Sequence, residues 1–491
     1  MKKRLFANSL FALGLSRIKR FAHGYADMEV AIVVNTDLLM RAFKGNDDIV
    51  RKELLLNEKS INLFYMNSLT EQKTLEELVI RPLHLHIGDE WKGLQNVYIS
   101  GESIDSVSDA VQAVLEGFTL ITDGEELIKL KTFSVSERSI ETSTVEHSIM
   151  GPQDSFNESL QTNLSLLKRK VKNISLKTII GNIGEETQTQ YAVLYMDNKV
   201  SRDNLDFLLG ALNQINIQGI TSASVLQQMI EEVPWSPFPQ LLNTVRVDTS
   251  MSSLLEGRIV LLLDGAPQAL IGPITFMDLV NAADDEYNRS LTATLLRHLS
   301  LFGFFITLFI TSSYVSFLTF HPEMLPPQLF SLIATSRAKV PFPPMLEVLI
   351  LEIMVEILRE AAARMSIKVG QTIGVVGGIV IGTAAVEAGL FSNIIIILVS
   401  VTTLLSFLPS NVLLRNGFQV FKYVFILLAG LLGLFGQMIA FAYILSHLVK
   451  LNSLGSPLLS TGFKNSGGYS NKGVLRVPKR GFIKNSSKTN R

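Results

Sequence analysis

The chain has 491 residues, 47% hydrophobic and only 18% charged, where soluble domains carry about 25% charged residues; part of it belongs in a membrane. Its zero formal charge divides unevenly, with 28 basic against 38 acidic residues in 1–298 and 16 against 6 in 299–491. The absence of cysteine excludes disulfides, thiolate metal sites and thiol nucleophiles, the apolar content excludes a disordered chain, and nucleic-acid binding is not expected when the one strongly basic region is a short tail.

Residues 1–24 read as a basic amphipathic arm: the apolar stretch Leu5–Leu15 is interrupted by Asn8 and Ser9, is followed by SRIKR, and shows no small-residue cleavage site. Residues 25–150 and 151–297 read as two small α/β subdomains. In the first, Asp47–Glu58 is expected as a short polar helix, Ile61–Met66 as a buried strand, and Thr74–Ile80 as a helix stopped by Arg81-Pro82. Ser103–Glu116 is expected as a helix, and Phe118–Phe133 as two strands about the Asp123-Gly124 turn. In the second, helices are expected over Ser155–Val171 and Asn204–Asn216, with a buried strand at Thr189–Met196. The proline-rich Glu232–Gln240 cannot be regular structure. Arg258–Phe276 repeats the strand–Asp-Gly–strand pattern, so the two hairpins are candidates for equivalent positions.

From Leu299 the solvent changes. A membrane domain is expected over 298–450, with uncharged crossings at 299–320, 369–389, 393–414 and 423–449, each able to satisfy its backbone as a helix. A Glu-rich helix over 345–363 is read as only partly inserted. Residues 451–491 form a basic tail with nine Lys and Arg from Lys450 onward and no acids, placed on the cytosolic side by its charge. The fold class is thus an α/β N-terminal region of two subdomains followed by an α-helical polytopic membrane domain. Its topology carries a conflict: four crossings keep the tail inside but strand Arg337, Lys339, Arg359, Arg364 and Lys368 outside, against the charge rule. A fifth crossing over Leu346–Ala362 brings Arg359, Arg364 and Lys368 inside but sends the tail out; four crossings are the reading taken.

The chemistry-bearing pattern lies in the Glu-rich helix. Glu352, Glu356 and Glu360 recur every fourth residue and form one carboxylate stripe, and Glu387 ends the following span. Acids at membrane depth must meet water or partners, so the stripe either lines a cation pathway among several copies or faces solvent on an interfacial helix. Gly370, Gly374, Gly378 and Gly382 also recur every fourth residue, which suits close helix packing, with a hinge as the other reading. His84 and His86, read on one strand face, lack further ligands, so no metal site and no cofactor is expected. Lys168-Arg169-Lys170 reads as a solvated face. No phosphate-binding loop or nucleophile elbow occurs, so no enzyme activity is expected.

The order of motifs GPQDSFNESLQTNLSLLKRKV, EVPWSPFPQ, LLEGRIVLLLDGAPQALIGPITF, TFHPEMLP, VPFPPMLEVLILEIMVEILREAAARM and GTAAVEAG resembles the A subunit of GerA-type spore germination receptors, a family with the stage V sporulation protein AF as a relative. The likeness runs from about Asp48 to Leu451 and departs from the family pattern at Thr244–Asp248 and Leu404–Asn411. It implies a multi-pass subunit of a nutrient germinant receptor in the spore inner membrane, with its N-terminal domain cytoplasmic. It also implies a transporter-like B subunit and a lipoprotein C subunit as partners, self-oligomerisation, a small-molecule germinant bound directly or through the B subunit, and a contribution to an ion pathway. A non-conducting scaffold for the B and C subunits is the alternative.

Overall fold

The computed structural model describes residues 36–56, 59–85, 94–98, 100–104, 106–133, 146, 148, 150–460, 464–465 and 468–469; the expected arm 1–24 and His86 lie outside them. Contacts divide the chain into one unit of residues 1–136 with 172–174 and another of residues 137–171 with 175–491.

In the first unit, helix α1 (Thr36–Ala42) precedes strands β1 (Ile49–Leu56) and β2 (Lys59–Met66). The expected polar helix at 47–58 is therefore a strand: full-length antiparallel pairing with β2, Ile49 opposite Met66 through Leu56 opposite Lys59, overrides its local helix preference. Nor does Pro82 stop the next helix. Gln72–Leu75 widens into a π turn over Glu76–Ile80 and continues as Arg81–Leu85, the wide turn easing the clash between the proline ring and the carbonyl four residues back. His84 is consequently helical and exposed rather than on a strand. After β3 (Glu102–Ser103), helix α2 (Val107–Glu116) is N-capped by Ser106 and ends at Gly117 with φ 93°. Strands β4 (Phe118–Thr122) and β5 (Leu127–Lys131) flank the Asp-Gly turn, where Gly124 has φ 94°.

The second unit repeats that sheet. Helix α3 (Leu160–Lys170), strands β6 (Leu176–Ile183) and β7 (Thr189–Met196), helices α4 (Arg202–Gln214) and α5 (Ala223–Ile230), strand β8 (Leu242–Thr244), helix α6 (Val247–Leu255), strands β9 (Ile259–Leu263) and β10 (Ala269–Gly272) and helix α7 (Phe276–Val280) follow in order. The strand orders are β1-β2-β4-β5-β3 and β6-β7-β9-β10-β8, every pair antiparallel, so the two Asp-Gly hairpins occupy the same position in each sheet. Lys168, expected in solvent, is buried on α3 against the sheet; Arg169 is exposed and Lys170 pairs with Asp154 at 2.5 Å.

The rest of this unit is helical: α8 (Ser290–Phe320), α9 (Pro327–Arg337), α10 (Pro344–Ala363), α11 (Ile367–Ile379, continued through a π turn at Val380–Ala384 to Glu387), α12 (Asn393–Ser406) and α13 (Val412–Lys450). The 39-residue α13 is not one rod. Gly433, at φ 64° and ψ −143°, reverses it, and the Phe421 and Tyr443 rings lie 6.2 Å apart. A straight helix would separate them by about 33 Å. The run 423–449, read in sequence as one crossing, instead contributes to two antiparallel arms, 412–432 and 434–450.

Contacts give each helix a direction. Helix α8 starts beside the second sheet, where Arg297 meets Asp285 at 3.5 Å, and ends with Phe320 and His321 against Gly433. Call its starting end proximal. Helix α10 returns from the distal end, where Met345 lies against Gly430, past Lys422 in mid-bundle. Helix α11 leaves again, Gly370 against Ala362 and Gly389 against Lys339; α12 returns, from Ser392 near Glu347 to Leu405 near Gly303. With the two arms of α13 there are six antiparallel helical runs through the bundle, α10 among them. Helix α12 is 14 residues, about 21 Å, because Phe407–Ser410 breaks the run expected at 393–414 around Pro409. The last pass returns the chain to the second sheet. Ile274 N–H donates to Ser453 Oγ (2.9 Å) and Phe276 N–H to the Leu458 carbonyl (2.8 Å), so residues 451–460 are packed where a flexible tail is expected.

Candidate functional site

Helix α10 follows the Pro341–Pro344 cluster, whose rings pre-set its first turn, and carries acids along its whole length. At its distal end Glu347 is wholly buried. Its carboxylate accepts from Arg337 Nε (3.0 Å) and from the Ser392 backbone N–H (2.7 Å), tying α9, α10 and the start of α12 together. One and a half turns on, Glu352 Oε1 meets Lys422 Nζ at 2.6 Å, and that ammonium also donates to Thr402 Oγ1 at 3.2 Å. Glu356 pairs with Arg359 at partial exposure, and Glu360 pairs with Arg364 at 2.7 Å on the exposed proximal end.

The stripe expected from sequence is thus graded: Glu352 is sealed in the bundle, Glu356 lies half-way out and Glu360 is open. Glu387 is exposed at the distal end of the α11 run, away from the other three. Of the glycine ladder, Gly370 packs on Ala362, whereas an added Cβ on Gly374, Gly378 or Gly382 would meet nothing within 4 Å. Within Lys368–Glu387 only 6% of the apolar 18-residue stretch is buried in the single chain, against 50% of the corresponding stretch of Ser290–Phe320. Glu347 and Lys422 lie outside the expected site residues. Lys422 closes the charge-free stretch that begins at Tyr423, so in sequence it marks a boundary rather than a partner.

A second polar cluster sits where the sheet of this unit meets the helices. Arg246, just before α6, donates to Asp248 through Nε (3.1 Å) and Nη2 (2.7 Å), and to Asp284 through Nη1 (2.6 Å). Tyr287 O–H donates to Asp248 Oδ2 at 2.6 Å. Burial alone would raise the Asp248 carboxyl, but the hydrogen bonds from Arg246 and Tyr287 outweigh it and hold it below the usual carboxylate range. Glu146 accepts from Thr244 Oγ1 at 2.7 Å, yet burial dominates there and pushes its carboxyl up. Glu146, Thr244, Arg246, Asp248 and Asp284 line a cavity of about 310 Å³ whose other wall includes Asn281, Arg297, Ser410 and Asn411. Asn411 N-caps the first arm of α13 and Ser410 Oγ donates to the Asn281 carbonyl at 3.0 Å, so the cavity touches the roots of membrane helices. The segment Thr244–Asp248 thus contributes Thr244, Arg246 and Asp248 to its lining.

Among the described residues no group of three or more His, Cys, Asp or Glu could hold a metal ion. Three described helices are long and apolar enough to cross a membrane. Residues 37–487 match the sequence profile of the Bacillus/Clostridium GerA spore germination proteins. Spore germination protein GerQA of Bacillus cereus is 34% identical over 445 residues, 90% of this chain and 89% of that protein. Spore germination protein A1 of Bacillus subtilis is 32% identical over 461 residues, 92% of this chain and 94% of that one. The crystal structure of the N-terminal domain of the A subunit of the Bacillus megaterium spore germinant receptor GerK3 is similar at 23% identity and a TM-score of 0.38, covering 50% of this chain and 96% of that one.

Proposed function

We propose a function from one premise: this chain belongs to the Bacillus/Clostridium GerA spore germination protein family, matched over residues 37–487. It acts as the A subunit of a nutrient germinant receptor in the spore inner membrane, together with a transporter-like B subunit and a lipoprotein C subunit. Germinant binding in that complex shifts a closed–open equilibrium of the membrane helices. The proximal side, shared with the second sheet, is cytoplasmic. Arg359, Arg364, Lys368, Arg415 and Lys450 gather there, which fits the charge rule better than four crossings do, leaving only Arg337 and Lys339 of the conflicting residues on the distal side.

Several copies of the chain surround a cation pathway, with Glu356 and Glu360 raising the local cation concentration. The observation that carries this reading is α11. A largely apolar span with 6% of its 18-residue apolar stretch buried, and with Gly374, Gly378 and Gly382 open to close approach, is suited to meet another helix. Glu356→Gln and Glu360→Gln combined, which leave the buried Glu352–Lys422 pair intact, should slow potassium and sodium release during germination. Unchanged flux at normal protein level would remove the stripe from the pathway.

The second reading, a scaffold that positions the B and C subunits without conducting, is favoured by the basic partners of all three acids. A stripe neutralised within its own chain attracts cations weakly. Purified protein in planar bilayers separates the two, because a scaffold passes no cation-selective current.

A further inference from the structure

The proline-rich segment Glu232–Gln240, irregular as its composition demands, is nevertheless tightly held. Gln240 closes its neck: the side-chain carbonyl accepts from the Glu232 and Val233 N–H groups at 3.0 and 3.4 Å, and its amide donates to the Val233 carbonyl at 3.0 Å. Glu232 in turn accepts from Asn452 Nδ2 (3.0 Å) and the Gly455 N–H (2.9 Å), just beyond the last membrane pass. On the other side of the loop, Phe238 is 1% exposed. Its ring stacks on Phe421 at 5.2 Å, packs edge-on to Phe418 at 5.1 Å, and lies over Gly417. Ser236 Oγ lies 2.9 Å from His447 Nε2.

Between these fixed points Trp235 projects outward, 97% exposed. A rigid loop that buries Phe238 and leaves the larger indole three residues away uncovered is not following the hydrophobic effect in water. The level of the loop explains it. Gly417 is five residues inside the proximal end of the first arm of α13, and His447 is three residues from the proximal end of the second, at Lys450. That depth is where a membrane helix leaves the hydrocarbon for the headgroups, the zone in which tryptophan is enriched because its ring is apolar and its N–H can stay hydrated. Leu413 and Val420 on the same arm are also exposed.

We infer that Trp235 is an interfacial anchor: the Glu232–Gln240 loop lays its indole into the headgroup zone of the proximal leaflet, fixing the height of the second α/β subdomain above the bilayer. The ligand is the lipid surface itself. A subunit contact at the same ring is the competing occupant, and the test separates them.

The chain has two tryptophans, Trp91 and Trp235, so Trp91→Phe leaves one reporter. The full-length variant is reconstituted in phosphatidylcholine–phosphatidylglycerol vesicles containing lipids brominated either high on the acyl chain or near its end. The expected result is blue-shifted emission, weak quenching by aqueous iodide, and quenching about twofold stronger from the high bromines than from the deep ones. Solvent-like emission with strong iodide quenching overturns the proposal. Blue-shifted emission without bromine quenching overturns it too, since the ring would then be covered by protein. If Trp91→Phe does not fold, the difference between the native chain and Trp235→Phe gives the same readout.

Discussion

Lys422 Nζ stands 2.6 Å from Glu352 Oε1 with both side chains excluded from solvent, joining α10 to the first arm of α13 in mid-bundle. Bringing two charges into a low-dielectric interior costs several kcal/mol apiece, so the pair persists only because each neutralises the other. Removing one partner is worse than removing both. Glu352→Gln or Lys422→Met should each destabilise the protein by about 3–5 kcal/mol and lower its level in membranes. The double variant should recover much of the loss, as read by thermal melting in detergent. Equal damage from the double and the single variants would mean the pair does not hold the helices.

Gly433 controls the other end of that arm. At φ 64° and ψ −143° it occupies backbone space open essentially to glycine alone, and a Cβ there would lie 3.1 Å from Phe320 Cβ and from His321 Nε2. Gly433→Ala should cost about 1–3 kcal/mol in the same melting assay. Gly378→Ala, on an open face of α11, should be silent in the isolated chain. If both behave alike, the reversal at Gly433 is not required.

Much of this was readable in advance from periodicity. Strand Thr189–Met196 and both Asp-Gly hairpins follow from apolar runs bounded by turn residues, and their equivalence survives as matching sheet orders. What escaped was set by partners distant in sequence. Residues 49–56 favour a helix locally and became a strand only by pairing with β2. The α13 hairpin hides because Gly433 is one of several glycines in an apolar run, and nothing local says which takes a positive φ. The acid stripe was legible as a spacing, but its partners were not, since Lys422 lies 70 residues beyond Glu352. Arg246, Asp248, Asp284 and Tyr287 come from a loop, a helix start and a turn, with no shared period to reveal them.

Glu146 offers a pH signature outside the membrane helices. Burial raises its carboxyl above the unfolded value of about 4.3, so the protonated form contributes stability that is fully present below that pH and lost as pH rises through the folded value. Glutamine imitates the protonated acid and keeps an oxygen for the Thr244 hydroxyl. Glu146→Gln should therefore melt above the native protein at pH 8, with the gap closing by about pH 4. Asp248 runs the other way. Its carboxyl is held down, so its contribution is present above about pH 4 and fails as pH falls through the folded value. A melting gap for Glu146→Gln that widens in acid would contradict the assignment.

The six-pass arrangement makes a sided prediction that the cysteine-free chain lets one read directly. An even number of passes returns residue 459 to the side of the second sheet, whereas Lys339, in the turn between α9 and α10, follows a single pass and lies opposite. Both positions are exposed, so a cysteine at either should react without disturbing the core. With Lys339→Cys and Leu459→Cys made singly, a membrane-impermeant maleimide added to intact right-side-out vesicles should label position 339 at once. Position 459 should label only after permeabilisation if, as proposed from the arginine and lysine at the proximal helix ends, that side faces the cytoplasm. Labelling of both from outside would require an odd number of passes between them to be lost. The hairpin at Gly433 and the full crossing of α10 would then be the first elements to reject.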